Sequence, residues 1–380
     1  MPIYKMNGKK DGLQKYRVRI NYTDASGKSK QLERVAYGKE AASELEARLR
    51  RELKELSAPK MTVQELYDEY IKAKKYEVRE TTVDKTKQLL EAFVLPTLKD
   101  YKLEKLNPSI LQNWKSDIEE ITTASNERLS LKYKQNIYGT FRALLNYAVH
   151  MEYIQKNPLG KVGNFKDSNI IKKEMEFYTS EEFLKFISAA QKHAQEHTLD
   201  SINEWNYYVF FNIAFYTGMR KGEIYALKWT DISNDIIHIT RSITQKLSGG
   251  DRETPPKNKS SIRNISVPIP LKSVLEAHYE RYKAIDGFSD DWYICGGKFC
   301  IRDSTLENHN KAYAKLAEVK KIRIHDFRHS HASLLANNGI NIQEVARRLG
   351  HSNVEMTWNT YSHLYPQEDE RVLQVLNKIK

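Results

Sequence analysis

Four short stretches in the C-terminal half of the sequence carry residue types suited to phosphate chemistry. TGMRKGE (residues 217–223) puts Arg220 beyond the Gly that ends an apolar helix, at the entry to the next one. A guanidinium fixed there offers a planar fork of donors to phosphate oxygens; the competing use is an ion pair with Glu223 at i+3. TPPKNKSSIRNISVP places Lys257 at a hairpin turn, where an ammonium can reach a cleft as a point charge or proton donor. IHDFRHSHASLL (324–335) sets His325 and Arg328 one helical turn apart on one face. LGHSNVEMTWNTYSH supplies His351 and, ten residues on, Tyr361.

A metal reading of HDFRHSH rests on the i,i+4 spacing of His325 and His329. Arg328 on the same turn repels a dication, and the position after His325 holds Asp326 rather than the Glu of the zinc-helix pattern. No metal or cofactor is assigned. His329 and His331 are read as structural. The two cysteines, Cys295 and Cys300, match neither a metal nor a redox spacing.

The elements that must carry these residues fall into three expected modules. The chain has 380 residues, enough for several cores. Its formal charge of +12 favours a polyanionic partner, and half of that excess lies early: residues 1–58 hold 14 Lys/Arg against 8 Asp/Glu. In YRVRINYT, Tyr16, Val18, Ile20 and Tyr22 alternate with Arg17, Arg19 and Asn21, the period of a half-buried strand. NGKKDG reads as a hairpin turn after IYKM, DASG as another, and KSKQLERV as a third strand bearing Lys28, Lys30 and Arg34. The basic residues are expected on one sheet face, free to meet DNA. KEAASELEARLRRELKEL forms the covering helix through Ala42, Leu45, Leu49 and Leu53.

The second module, 61–160, reads as all-α. Thr62 and Glu65 form a capping box, and helices are expected near 63–75, 81–95, 108–120 and 130–151. Lys132, Lys134 and Arg142 are its candidate phosphate contacts. KNPLGKVGNFKDSNIIKKE, from Lys156, reads as a linker. The third module, 174–380, is mainly helical, with DIIHITRS and IRNISVP as a strand pair and RVLQVLNKIK as an amphipathic tail. No apolar run approaches membrane-spanning length, and MPIYKMNGKKDG resembles neither a secretory signal nor a transit peptide, so a cytoplasmic, DNA-associated protein is expected.

Taken together, two arginines, a lysine, two histidines and a late tyrosine resemble the tyrosine recombinase (phage integrase) family. TGMRKGE, HDFRHSHAS and LGHSNVEMTWNTYSH match its three strongest motifs, and the basic sheet and helical module resemble its arm-binding and core-binding domains. The resemblance implies a fold of three parts: a three-stranded sheet with a helix, an all-α core-binding domain, and a mainly-α catalytic domain with a small sheet. It implies that Arg220 and Arg328 clamp the scissile phosphate, that His325 donates a hydrogen bond or acts as general base, and that His351 donates to the phosphate. Lys257 matches the hairpin lysine that protonates the leaving 5′ oxygen, with Lys259 as alternative because Asn258 stands where the family usually has Thr. Tyr361 matches the nucleophile better than Tyr365 does.

The implied activity is site-specific recombination that integrates and excises a phage genome or other mobile element through a 3′-phosphotyrosyl intermediate. The implied partners are double-stranded DNA at core-type and arm-type attachment sites and a homotetramer on that DNA, with DNA-bending accessory proteins and an excisionase as further candidates. The competing readings are a DNA-binding regulator without covalent chemistry and a metal-dependent nuclease.

Overall fold

A computed structural model of the chain describes residues 3–23, 29–57, 61–167, 175–197, 202–245, 247, 250–255, 259–365 and 376–377. Contacts divide the chain into two compact units, Met1–Ile170 and Ile171–Lys380.

The first unit opens with β1 (Ile3–Lys10), β2 (Leu13–Thr23) and β3 (Ser29–Tyr37), an antiparallel sheet in that order, followed by helix α1 (Lys39–Ser57). Val18 and Ile20 on β2 pack with Ala42, Leu49 and Leu53 on α1, as the alternation and the helical spacing predict. Two expectations change. NGKKDG is not one turn: β1 runs on through Lys10 with a register shift between Lys5 and Lys9, and the reversal is made by Asp11 and Gly12, both at positive φ.

The basic residues also do not share one face. Antiparallel register sets Lys30 opposite Tyr22 and Arg34 opposite Val18, on the helix side of the sheet, whereas Arg17 and Arg19 stand opposite Val35 and Glu33 on the other side. Side chains alternate along each strand, so β2 and β3 contribute cations to opposite faces. Lys28 lies outside the described residues.

The helices of the first unit are α2 (Val63–Glu77), α3 (Glu80–Phe93), the single turn α4 (Leu95–Leu98), α5 (Pro108–Glu120) and α6 (Leu131–His150). Thr62 and Glu65 cap α2 reciprocally, and Asn107 with Pro108 starts α5. Ile137, Phe141, Leu144, Leu145 and Ala148 of α6 are buried at the centre of a second apolar core. That core extends past Lys156: Leu159 and Phe165 are buried in it, and Lys115 Nζ donates to the Gly163 carbonyl at 3.1 Å. The first part of the expected linker therefore belongs to the helical core, which its Gly and Asn content concealed.

The second unit is built around α8 (Asn203–Thr217), which follows α7 (Ser180–Glu196) and is buried on nearly all sides. An apolar helix with no polar face is stable only when other elements enclose it. After the short α9 (Lys221–Tyr225) come β4 (Ile232–Ser233), β5 (Ile236–Ile239), β6 (Ser242–Thr244), β7 (Arg252–Thr254) and β8 (Arg263–Ser266). The expected pair β5 and β8 forms a sheet with β4, and β6 pairs with β7 in a second ribbon too short and polar to read from alternation. Helices α10 (Ile269–Lys283), α11 (Asp303–Leu316), α12 (Asp326–Asn337), α13 (Ile342–Leu349) and α14 (Val354–Tyr361) complete the unit. Apart from Leu376 and Asn377, the tail RVLQVLNKIK lies outside the described residues.

Candidate active site

The site is organised by the C-terminal end of α13. Three successive carbonyls there each receive a guanidinium from a different part of the chain. Arg263 Nε donates to Arg348 O at 2.7 Å, an Arg328 Nη to Leu349 O at 2.7 Å, and an Arg220 Nη to Gly350 O at 3.1 Å. Helix C-termini leave these carbonyls without intrahelical partners and carry the negative end of the macrodipole, so cations are favoured there. The second Arg328 Nη donates to Gly218 O at 2.7 Å.

Both glycines that supply carbonyls end a helix at positive φ, 64° for Gly218 and 68° for Gly350. A Cβ on Gly218 would lie 2.6 Å from His331 Cδ2, and one on Gly350 would lie 3.0 Å from an Arg263 Nη. Neither position has room for a side chain without rearranging the arginines or the histidine beside it.

A buried carboxylate links the set. Glu223, 4 % exposed, accepts from an Arg220 Nη at 2.9 Å and from both Arg263 Nη atoms at 3.1 and 2.9 Å. It also accepts from the Arg220 backbone N–H at 2.8 Å. Burial alone would raise its pKa, but the Arg263 and Arg220 guanidiniums hold it below the usual range. The i+3 ion pair that competed with a phosphate role for Arg220 is thus present, and it orients the guanidinium while leaving the side chain partly exposed.

Arg328 is 3 % exposed. Burial, together with Arg220 and Arg263, lowers its pKa, and its two carbonyl partners supply the compensation that an isolated buried cation lacks.

His325 precedes α12, and its ring lies edge-on to His329 with centroids 5.1 Å apart. Burial, His329 and Arg328 lower its pKa to about 4. His351 follows Gly350 directly, with its Nδ1 2.7 Å from Thr357 Oγ1. Burial and the nearby Arg328, Arg220 and Arg263 lower it to about 4 as well. Both imidazoles are therefore neutral at pH 7 before an anion arrives.

Tyr361 ends α14 and is 1 % exposed, packed with Ala332, Ala336, Val345 and Leu349. Burial raises its phenol to about 12, opposed by Arg328. Its hydroxyl lies 2.6 Å from His329 Nδ1. Tyr365, by contrast, donates its hydroxyl to Ile340 O at 2.8 Å.

The structure thus gathers Arg220, His325, Arg328, His351 and Tyr361 around one end of α13. Lys257 and the Lys259 side chain lie outside the described residues. The expectation that His331 is structural fits its partners: Nδ1 lies 2.7 Å from Phe215 O and so donates, while Nε2 accepts from Arg348 Nε at 3.1 Å. His329, read in the same way, has its Nδ1 2.6 Å from the Tyr361 hydroxyl. Its signal was the i+4 spacing from His325, which places the two rings on one face of α12. Arg263 was also missed, although alternation along β8 puts it on the buried side with Ile265.

The candidate DNA contacts of the first unit differ in character. Arg19 Nε donates to Glu33 Oε1 at 2.6 Å, and an Arg17 Nη lies 3.7 Å from the same carboxylate. Lys134 is buried and ion-paired with Glu119, which removes it from the surface available to phosphate. Lys132 and Arg142 are exposed.

The phage integrase family matches residues 176–368, and the N-terminal SAM-like domain of phage integrases matches residues 62–118. The chain belongs to the phage integrase family. Among relatives of this integrase, the ICEBs1 integrase of Bacillus subtilis strain 168 is 29 % identical over 373 residues, covering 95 % of this chain and 96 % of the relative. The Tn1549 transposon integrase, solved in complex with a circular intermediate DNA, superposes with a TM-score of 0.65 at 21 % identity, covering 84 % of this chain and all of that one. A lambda integrase tetramer bound to a Holliday junction gives 0.54 at 17 % identity, covering 97 % of each. At these identities the superpositions establish the tyrosine recombinase fold. Among the described residues no helix is long and apolar enough to cross a membrane, and no cluster of metal-ligating side chains forms.

Proposed function

We propose that this integrase cuts and rejoins double-stranded DNA at attachment sites of a mobile element, with Tyr361 as nucleophile. The observation that carries the assignment is the convergence of Arg220 and Arg328 on adjacent carbonyls beside His351, in the same unit as a buried tyrosine. A phosphodiester is anionic and repels a nucleophile until its nonbridging oxygens are neutralised, and fixed donors do this without reorganising during reaction. In this reading Arg220 and Arg328 bind those oxygens, and His325 and His351 donate further hydrogen bonds.

The phenol oxygen attacks phosphorus, and the bond to the 5′ oxygen breaks as a lysine supplies its proton. Lys257 fills that role, with Lys259 as alternative. The phosphotyrosyl ester conserves the phosphodiester energy, so rejoining by a 5′ hydroxyl needs no external energy source.

The relatives support a mobile-element setting, since one solved neighbour is a transposon integrase on a circular intermediate and another is a tetramer on a Holliday junction. By the same reading residues 1–58 bind arm-type sites, 61–160 bind the core site, 174–380 carry out the chemistry on it, and four copies act together. DNA-bending accessory proteins and an excisionase act on the same sites.

A nicked suicide substrate carrying the attachment site tests the chemistry. Wild-type protein gives a covalent adduct on a denaturing gel that persists in EDTA, and Tyr361→Phe gives none. Binding without any wild-type adduct would identify a regulator, and cleavage lost with chelator and restored by metal would identify a nuclease. A 5′-bridging phosphorothioate, whose sulfur leaves without protonation, rescues the variant that lacks the acid, Lys257→Ala or Lys259→Ala.

A further inference from the structure

We propose that His329, rather than His325, is the base that takes the proton from Tyr361. The inference rests on the reading of Tyr361 as nucleophile and adds a group to it. The phenol oxygen sits 2.6 Å from His329 Nδ1, a distance at which one proton is shared in a direct hydrogen bond. His329 stands one helical turn from His325 on α12, and its ring centroid is 5.8 Å from that of Tyr361. His329 therefore touches the reacting atom.

The surroundings set which way the proton moves. Arg328, Arg323 and Asp326 act on His329 from α12 and the residue run before it, His325 lies edge-on to it, and Tyr361 approaches from α14. Asp326 is occupied: its carboxylate accepts the Arg323 backbone N–H at 2.9 Å and two guanidinium nitrogens, and its backbone carbonyl accepts from Ser330. Burial disfavours the charged imidazole, and in the tautomer protonated at Nε2 the Nδ1 lone pair accepts the phenol O–H.

The phenol itself needs this help. Buried among alanines and aliphatic side chains, it holds its proton more tightly than an exposed tyrosine does. In the forward step the O–H proton passes to Nδ1, the phenol oxygen forms the bond to phosphorus, and the phosphorus–O5′ bond breaks with protonation of O5′ by the lysine. In the rejoining step the incoming 5′ hydroxyl loses its proton to the lysine, and the phenolate leaving phosphorus recovers its proton from His329. Protons and electrons balance over the cycle without any outside reagent.

Single-turnover adduct formation by full-length protein on the suicide substrate, followed from pH 5.5 to 9.5, tests the assignment. Wild type should stay level over most of that range and fall only at its acid end, where His329 gains a proton. His329→Ala should fall by about 100-fold or more at pH 7, and its rate should keep rising tenfold per pH unit as hydroxide replaces the base. His329→Asn accepts the phenol hydrogen bond through its amide oxygen but takes no proton. It should match wild type in thermal stability while following the His329→Ala profile.

An Asn variant that restores the rate would overturn the proposal by showing that His329 only positions Tyr361. A His329→Ala rate within threefold of wild type, or a reduced rate with the wild-type pH profile, would do so too. No adduct from wild type at any pH removes the nucleophile and its base together. An adduct from wild type beside any of those His329 results removes only the base.

Discussion

The arginines around α13 and those on the outer face of the N-terminal sheet are all held by partners, but the partners are of different kinds. In the second unit Arg220 and Arg263 share a single carboxylate, Glu223, and also donate to backbone carbonyls, while Arg328 donates to two backbone carbonyls. Carbonyls fix a guanidinium without cancelling its charge, so three cations stand against one anion and the pocket stays positive. On the sheet, Arg17 and Arg19 share Glu33, with all three side chains more than a third exposed. There the carboxylate offsets much of the charge it orients, and water screens the remainder. The contrast separates guanidiniums fixed mainly by backbone carbonyls in a largely buried pocket from guanidiniums paired at a solvent-exposed surface.

The largest effect should come from the buried clamp. Arg328→Ala removes donors to Gly218 and Leu349 and, on the proposed reading, the donors to phosphate, and adduct formation should fall by about 1,000-fold or more. Arg328→Lys should recover little of it, because an ammonium cannot reproduce the planar fork that reaches two carbonyls. Retention of a tenth of wild-type rate by the lysine variant would mean that charge alone, and not carbonyl-fixed geometry, makes the pocket.

Next in size is the inner link. Arg263→Met leaves Glu223 buried with one of its two guanidinium partners gone, which should cost on the order of 3 kcal/mol in urea unfolding. Arg263→Met with Glu223→Gln should regain part of that loss, since the buried charge goes with its partner. Cleavage in Arg263→Met should recover on a methylphosphonate, whose neutral oxygen position no longer requires the Arg220 cation to be held in place.

A pH effect follows from the imidazoles. His325 and His351 bind protons near 4, and His331 and His278 near 3, whereas an unfolded imidazole does so near 6.5. Between those values the unfolded chain holds more protons, so stability should fall as pH falls from about 6.5 toward 4. Thermal unfolding of the DNA-free protein across that range measures it. Phosphate in the pocket should raise the His325 and His351 values, so bound core-site DNA should flatten the dependence.

The smallest effects belong to the sheet. Glu33→Gln should change stability by less than about 1 kcal/mol. If Arg17 and Arg19 meet phosphate, the same change should tighten arm-site binding several-fold at low salt and leave cleavage of a core-only substrate unchanged. Arg19→Ala should reduce the salt slope of arm-site binding by about one. An arm-site affinity indifferent to both variants would move that contact elsewhere, for instance to Lys30 and Arg34 on the helix side.

Sequence alone determined what is local or periodic. The capping box at Thr62, the stripe on α6, the alternation on β2 and the glycine end of α8 depend on neighbours within a few residues, and each is found where the pattern puts it. The motif residues were legible as chemistry because few other roles call for arginine, histidine and tyrosine in that order. The faces of β3 were misread because alternation marks two faces but not their absolute sense, which the pairing with β2 sets.

Only the tertiary structure decided which donor meets which acceptor. Arg263 reaches Arg348 across 85 residues, Arg220 reaches Gly350 across 130, and His329 reaches Tyr361 across 32. Contacts at such separations leave no period in a sequence. They arise when packing around α8 brings the end of α13 beside α9, β8 and α12, and buried polar groups then have few partners to choose from.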